Sequence, residues 1–249
     1  MPSRKPELRV VADLEELGRA GAGEVARQAR KAASKRSFAV ALAGGRTPRG
    51  SYLRLAEEPY LRLVPWGSLH VFWGDERHVP PDHPESNFRM ARETLLSKAP
   101  VPSGNVHRIP AENPDADSAA RDYETMLRTF FRLRDGQAPR FDLVLLGLGA
   151  DGHVASLFPG SEGLRETRRL VVASRAEPPK AQRITVTPPV IREAANVLVL
   201  VSGEEKAEAL GRALAPEGSV EECPARLLRE SQGSVVFIAD RAAAAQVKT

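Results

Sequence analysis

Eight short runs rich in β-branched and apolar residues, separated by segments with helical periodicity, constrain this chain more than any other feature. The runs are Phe38–Ala43, Leu69–Trp73, Asn105–Ile109, Phe141–Leu146, Leu170–Ser174, Arg183–Thr187, Asn196–Val201 and Ser234–Ala239. Helical patterns fall at Asp13–Ser34, Pro48–Ala56, Asn87–Leu96, Asp115–Arg134, Pro189–Ala194, Glu204–Leu214 and Ala225–Glu230, with a short terminal one from Arg241. Strands joined through helices pair in parallel, and the crossovers lay helices over both faces of the sheet. Phe141–Leu146 is apolar at nearly every position, as a central strand covered on both sides should be. The expectation is α/β: a three-layer, mostly parallel, Rossmann-like sheet in a single domain spanning 1–249. No Ser/Gly linker, composition shift or internal repeat divides the chain.

Composition excludes several classes. With 249 residues, 42% hydrophobic and 27% charged, the chain falls in the soluble globular range. Folding at this length buries roughly 70–75% of the unfolded surface, so no staple is required. A single cysteine, Cys223, excludes an internal disulfide framework and a cysteine-based zinc site. The longest apolar runs, Leu143–Leu146 and Val197–Val201, fall far short of the ~20 residues of a membrane span. The opening Met-Pro-Ser-Arg-Lys-Pro-Glu is expected to lead into a polar helix rather than an apolar signal core. A cytoplasmic location, no membrane partner, and a monomer or weak homodimer are the expectations. Net charge is +4, but the 36 basic residues are interleaved with 32 acids and aromatics are only 5%. That pattern fits solvated helix faces and an anionic small-molecule site better than nucleic acid.

Three glycine-containing segments follow strands. In Ala43-Gly44-Gly45-Arg46-Thr47-Pro48, the glycines allow positive φ and close approach to a ligand. Thr47 reads as the helix N-cap and Pro48 as its first residue. Such a helix start suits a phosphate, with Arg46 adding charge; a tight turn without ligand is the plain alternative. It is not a Walker A loop, whose spacing and Lys-Ser/Thr ending are missing. Trp73-Gly74-Asp75-Glu76-Arg77-His78 lies at the carboxyl end of a strand, where α/β ligands collect; an ion-pair network is the alternative there. Asp82 and His83 join His78 nearby, but the intervening prolines give no metal-binding register, so no metal is expected.

Gly147-Leu148-Gly149-Ala150-Asp151-Gly152-His153 is the most informative segment. It matches the G-x-G-x-x-G dinucleotide spacing, but Pro159-Gly160 interrupts the helix that reading needs. The next strand ends in Ser174-Arg175 rather than an acid, which leaves only an NADP variant and disfavours a nicotinamide cofactor. The alternative is that the glycines present Asp151 and His153 at the mouth of the sheet, the carboxylate orienting the imidazole as a general base. No G-x-S-x-G occurs and Cys223 has no nearby histidine, so hydrolysis would use activated water.

Together, Ala-Gly-Gly-Arg-Thr-Pro, Gly-Asp-Glu-Arg-x-Val-Pro with Ser86-Asn87, Gly-Leu-Gly-Ala-Asp-Gly-His-Val-Ala-Ser-Leu-Phe-Pro-Gly and Val201-Ser202-Gly203-x-x-Lys206 resemble the 6-phosphogluconolactonase family in order and spacing. The resemblance implies hydrolysis of 6-phospho-D-glucono-1,5-lactone in the oxidative pentose phosphate pathway, with no cofactor or metal. It implies the α/β fold shared with glucosamine-6-phosphate isomerases. It assigns His153, Asp151 and Arg77 to catalysis, and Gly44, Gly45, Arg46, Thr47, Asp75 and Lys206 to substrate binding. Arg77 is left between phosphate binding and oxyanion stabilisation. The runner-up is the related isomerase/deaminase, which carries a glutamate five residues after the histidine, where this chain has Phe158, and a tyrosine at the Arg77 position. Many family members have serine at Ala43. A non-catalytic phosphosugar-binding regulator is a third reading, disfavoured because no spare region could hold a DNA-binding unit.

Overall fold

The computed structural model describes residues 5–32, 37–175 and 182–247. Nine strands run β1 (Glu7–Val11), β2 (Phe38–Leu42), β3 (Leu69–Trp73), β4 (Asp75–Arg77), β5 (Leu143–Gly147), β6 (Val171–Ser174), β7 (Arg183–Val186), β8 (Asn196–Val201) and β9 (Ser234–Asp240). The α-helices are α1 (Leu14–Lys31), α2 (Arg46–Leu55), α3 (Tyr60–Leu63), α4 (Asn87–Ala91), α5 (Ala116–Phe131), α6 (Pro188–Glu193), α7 (Ala207–Leu214) and α8 (Arg241–Ala244).

Six strands form one sheet in the order β1-β9-β8-β5-β2-β3, every neighbouring pair parallel. β2 is buried throughout, as are β5 up to its terminal glycine and β8 after its first residue, so both faces of the sheet centre are covered. That is the three-layer arrangement the apolar runs require. From β2 the chain steps outward to β3; from β5 it steps the opposite way, to β8 and β9. Neighbouring strands that leave in opposite directions open a crevice above their carboxyl ends, and here that crevice lies between β2 and β5.

The remaining strands form a separate antiparallel sheet, β4-β7-β6. It departs from the expectation in two ways. Leu170–Ser174 and Arg183–Thr187 lie outside the main sheet, and Asp75–Arg77 is a strand rather than a loop. Asn105–Ile109 is not a strand: Val106 makes an isolated bridge to Val71 beside a 3-10 turn over Ser103–Asn105. The 3-10 turn takes its first donors, Asn105 N–H to the Pro102 carbonyl (2.9 Å) and Val106 N–H to the Ser103 carbonyl (3.2 Å), which leaves His107 N–H to reach the Val71 carbonyl (2.8 Å). Conversely, β1 stands where a lead-in to the first helix was expected. Its alternating Glu7 and Arg9 disguise an edge strand, paired only to β9.

Helix ends shift as well. Asp13 caps α1 by accepting from the Glu16 N–H (2.9 Å), and residues 33–34 of the predicted helix lie outside the described residues. The Asn87–Leu96 helix continues beyond Ala91 as a π turn, and Pro224–Glu230 is 3-10 rather than α. Among the described residues no helix is long and apolar enough to cross a membrane.

Two buried tyrosines clamp the strand ends that lead to the crevice. The Tyr52 hydroxyl donates to the Ala43 carbonyl (2.8 Å) and accepts from the Ala43 N–H (3.0 Å). Tyr123 does the same at Trp73, at 2.9 Å each way. Each satisfies a backbone pair where a strand leaves the ladder, and a buried unmatched pair would be costly. Burial pushes both phenols well up, so they stay protonated donors.

Candidate active site

The crevice holds a cleft of about 500 Å³ floored by the loops after β2, β5 and β8 and walled by the small sheet. After β2, a Cβ on Gly44 would lie 1.9 Å from Asn87 Oδ1, so only glycine admits that asparagine. Gly45 has φ +96°, and α2 begins directly at Arg46 with Gly45 at its cap position. Thr47 is therefore the second helical residue, not the cap predicted. No side chain caps α2, so its first N–H groups face the cleft as an anion-binding end.

The small-sheet wall is built around Glu76. It is 3% exposed and accepts from the backbone N–H of Arg77 (2.8 Å), Asn87 (2.6 Å) and Phe88 (2.8 Å), and from Ser86 Oγ (3.1 Å). Burial pushes its carboxyl up, the three backbone donors oppose this, and the nearby Asp75 charge adds to the rise. Glu76 thus ties β4 to the start of α4, where Ser86 is the cap. That places Asp75 and Arg77, its strand neighbours, on the opposite face, where both line the cleft. Asp75 is fixed by Ser156 Oγ on Oδ2 (2.7 Å) and by Asn87 Nδ2 on its carbonyl (2.9 Å). Arg77 Nη1 donates to the Glu85 carbonyl.

The loop after β5 closes on itself: Gly149 N–H donates to the His153 carbonyl (2.9 Å) and Gly152 N–H to the Gly149 carbonyl (3.0 Å). A Cβ at Gly149 would strike His153 Nδ1 at 2.1 Å and Asp151 Oδ1 at 2.4 Å, so glycine is what lets the pair form. His153 Nδ1 lies 2.6 Å from Asp151 Oδ1, which also accepts the His153 backbone N–H at 3.1 Å. With a carboxylate opposite, Nδ1 carries the hydrogen and Nε2 keeps its lone pair. Burial tends to raise the Asp151 carboxyl, but the His153 side-chain bond and charge outweigh it, and it is pushed down to about 2. His153 itself lines the cleft at 31% side-chain exposure, with the Phe158 ring tilted against it at 4.8 Å. Cys223 is buried behind the loop, where its Sγ would contact any Cβ at Gly152; burial pushes its thiol up, in keeping with a passive role.

After β8, Gly203 turns at φ +102° and its N–H donates to Asp240 (3.2 Å to each oxygen), as does Ser202 Oγ. Asp240 simultaneously caps α8 through the Ala243 N–H (2.8 Å). This delivers Lys206 to the cleft from the side opposite Arg77's strand. Among the described residues, neither Arg46 nor Lys206 has an ion-pair or hydrogen-bond partner for its side chain; both are free to take an anion.

The residues assigned from the sequence to catalysis and substrate binding converge here. Gly44, Gly45, Arg46, Thr47, Asp75, Arg77, His153 and Lys206 line the cleft, and Asp151 stands behind His153. The parts that were missed are supports: Tyr52 and Asp240 altogether, and Glu76, Ser156 and Asn87, which were noted only as parts of motifs. Ser86 and Asp240 as helix caps were the local signals available; the contacts that tie Tyr52 to Ala43, Asp240 to Gly203 and Ser156 to Asp75 span 9 to 81 positions. Outside the cleft, His78 Nε2 meets the Asn113 carbonyl (2.7 Å), and among the described residues no group of three metal-ligating side chains occurs.

Fold and cleft define a class: an α/β protein presenting an oriented histidine and unpaired cations at the carboxyl edge of a parallel sheet. Residues 12–237 match the family described as Glucosamine-6-phosphate isomerases/6-phosphogluconolactonase, and the chain belongs to it. A 6-phosphogluconolactonase from Synechocystis sp. is 43% identical over 204 residues, 82% of each chain. One from Nostoc sp. is 41% identical over 211 residues, covering 84% of this chain and 85% of the relative. The solved 6-phosphogluconolactonase of Trypanosoma brucei superposes with a TM-score of 0.88 at 35% identity, covering 98% of this chain and 99% of that one. A monomeric glucosamine-6-phosphate deaminase shares the fold (TM-score 0.82) at 22% identity.

Proposed function

We propose that this cleft hydrolyses 6-phospho-D-glucono-1,5-lactone to 6-phospho-D-gluconate, using water activated by His153, within one α/β domain. The observation that carries the reading is the pairing of two features in one cleft: an Asp151-oriented imidazole with Nε2 free, and cations without protein partners at Arg46 and Lys206. The relatives' names supply the substrate class.

The α2 N-terminus, the Gly44–Thr47 backbone, Arg46 and Lys206 take the 6-phosphate, which leaves the lactone ring toward the β5 loop. Nε2 removes a proton from water as its oxygen bonds to C1 and the carbonyl π pair moves onto oxygen. Asp151, pushed down to about 2 and so charged at neutral pH, keeps Nδ1–H directed and stabilises the imidazolium. Collapse breaks the bond between C1 and the ring oxygen, which receives the same proton from Nε2; the acid formed then loses its proton to solvent. Arg77 faces the developing oxyanion, and Asp75, held by Ser156 and Asn87, faces the sugar hydroxyls. None of these steps calls for a metal or cofactor. The Phe158 ring against His153 cannot relay a proton, which favours lactone hydrolysis over isomerase chemistry.

The test is lactone hydrolysis at neutral pH on phosphorylated and unphosphorylated gluconolactone in parallel, with spontaneous opening subtracted. Charge-assisted contacts of about 1.5–3 kcal/mol each correspond to roughly 10–150-fold in affinity. Lys206→Ala should lower kcat/KM on the phosphorylated lactone by that factor and scarcely touch the other. Equal losses on both would remove Lys206 from the phosphate site, and no turnover of the phosphorylated lactone by the native chain would end the lactonase reading.

A further inference from the structure

Arg183 has no role in the site as described, yet it stands directly behind it. In the small sheet it is the cross-strand partner of Arg77 on one side and of Ser174 on the other. Directly opposite residues of antiparallel strands share a face, so Asp75, Arg77, Arg183 and Thr185 project together. Thr185 Oγ1 accepts from the Ser156 N–H (3.1 Å) and Ser174 Oγ donates to the Ser156 carbonyl (2.8 Å), so this face is tied into the cleft wall. Like charges directly opposite are destabilising, and a shielded guanidinium nitrogen without an acceptor is costly. Both conditions hold here: Arg183 Nη1 is buried with no hydrogen-bond partner, and among the described residues no carboxylate pairs with its side chain. Burial and then the Arg77 charge act against its ionised form, with Asp75, Glu85 and Glu76 opposing.

A row of two arginines that, among the described residues, has no direct ion pair costs stability unless an anion arrives on its open side. Arg77 alone of the two lines the cleft. We propose that Arg183 is a positioning residue for Arg77: it confines that guanidinium to the cleft side of the row and adds to the positive potential there. The pair then favours the negative charge that forms on the lactone carbonyl and persists as the product carboxylate. This inference rests on the lactonase reading and extends it to a second anion locus, separate from the phosphate end at Arg46 and Lys206.

The experiment compares the full chain with Arg183→Met, which keeps the bulk without the charge, and Arg183→Lys, which keeps the charge. Read out are kcat and KM on the phosphorylated lactone, calorimetric binding of 6-phosphogluconate and of inorganic phosphate, and thermal melting. Arg183→Met should lower kcat by about 10-fold or more, since it removes charge acting through one intermediary rather than a direct oxyanion donor. It should weaken 6-phosphogluconate binding by a similar factor, leave KM and inorganic phosphate binding within about twofold, and melt no lower than wild type. Arg183→Lys should recover most of both losses. Unchanged kcat and product affinity in Arg183→Met would overturn the proposal. So would parallel loss of inorganic phosphate binding, or a loss of activity that tracks a fall in melting temperature and is not rescued by lysine. Wild-type turnover tests the lactonase reading by itself. The ratio of the two binding affinities requires no turnover, so the two failures are distinguishable.

Discussion

Two carboxylates flank the cleft and are tuned in opposite directions. Glu76 is buried, engages four donors with its two oxygens and has its carboxyl pushed up; Asp151 is 46% exposed, faces one imidazole and is pushed down to about 2. The difference is in what surrounds them. Backbone N–H groups satisfy Glu76 geometrically without a compensating cation, so desolvation prevails. Asp151 meets a partner able to carry positive charge, and solvent supports its ionised form. Glu76 is thus scaffold, whereas the proposed mechanism makes Asp151 machinery, although both sit two or fewer residues from a site side chain.

If the machinery assignment holds, the largest effect belongs to the base itself. His153→Gln should reduce kcat by on the order of 10²–10⁴ with little change in KM, measured after subtracting spontaneous lactone opening. Near-native kcat would make the histidine structural. Asp151→Asn comes next, on the order of 10²-fold in kcat, because an amide can present its N–H to Nδ1 and favour the wrong tautomer. Its melting temperature should hardly move, since the side chain is half exposed.

Glu76→Gln should show the inverse pattern. The amide nitrogen cannot accept from Phe88 N–H or Ser86 Oγ, leaving buried donors unmatched at a cost of about 1–3 kcal/mol each. Denaturant titration should show that loss, while kcat per folded molecule falls far less than in Asp151→Asn. A Glu76→Gln protein of full stability but crippled kcat would erase the distinction.

The smallest effect is in the pH dependence of stability, where the two acids have opposite signs. Asp151 is depressed in the folded state, so its contribution is present above the unfolded value of about 3.9 and fades as pH falls toward about 2. Glu76 is raised, so the folded state binds more protons just above the unfolded value of about 4.3, and stability declines as pH rises through that window. Asp151→Asn should flatten the acid slope in the lower window and Glu76→Gln in the upper one, as read by denaturation midpoints. Slopes that change in the same window would break the comparison.

How much of this was legible in the chain itself varied with the range of the forces involved. Strands β2, β5, β8 and β9 announce themselves as apolar runs because both faces are buried, whereas β1 hides behind Glu7 and Arg9 at an edge that solvent can reach. Asn105–Ile109 has strand-like composition but finds only a single bridge, since composition reports burial and not hydrogen-bond partners. Thr47 looked like a cap because capping preference is local, but Gly45's left-handed backbone starts the helix two residues earlier.

By itself, then, the sequence determined the alternation that makes an α/β sheet, the three glycine loops at strand ends, and the Asp151–His153 pair, whose contact spans two residues and needs only a tight turn. Tertiary structure decided what those loops converge on. The reversal of strand order between β2 and β5 brings Arg46 and His153 to one cleft, and the separate small sheet turns Asp75 and Arg77 toward it. The Glu76, Tyr52 and Asp240 anchors set the loops in place. Their partners are distant in sequence and meet only when burial makes each unsatisfied backbone group costly, so no local pattern records them.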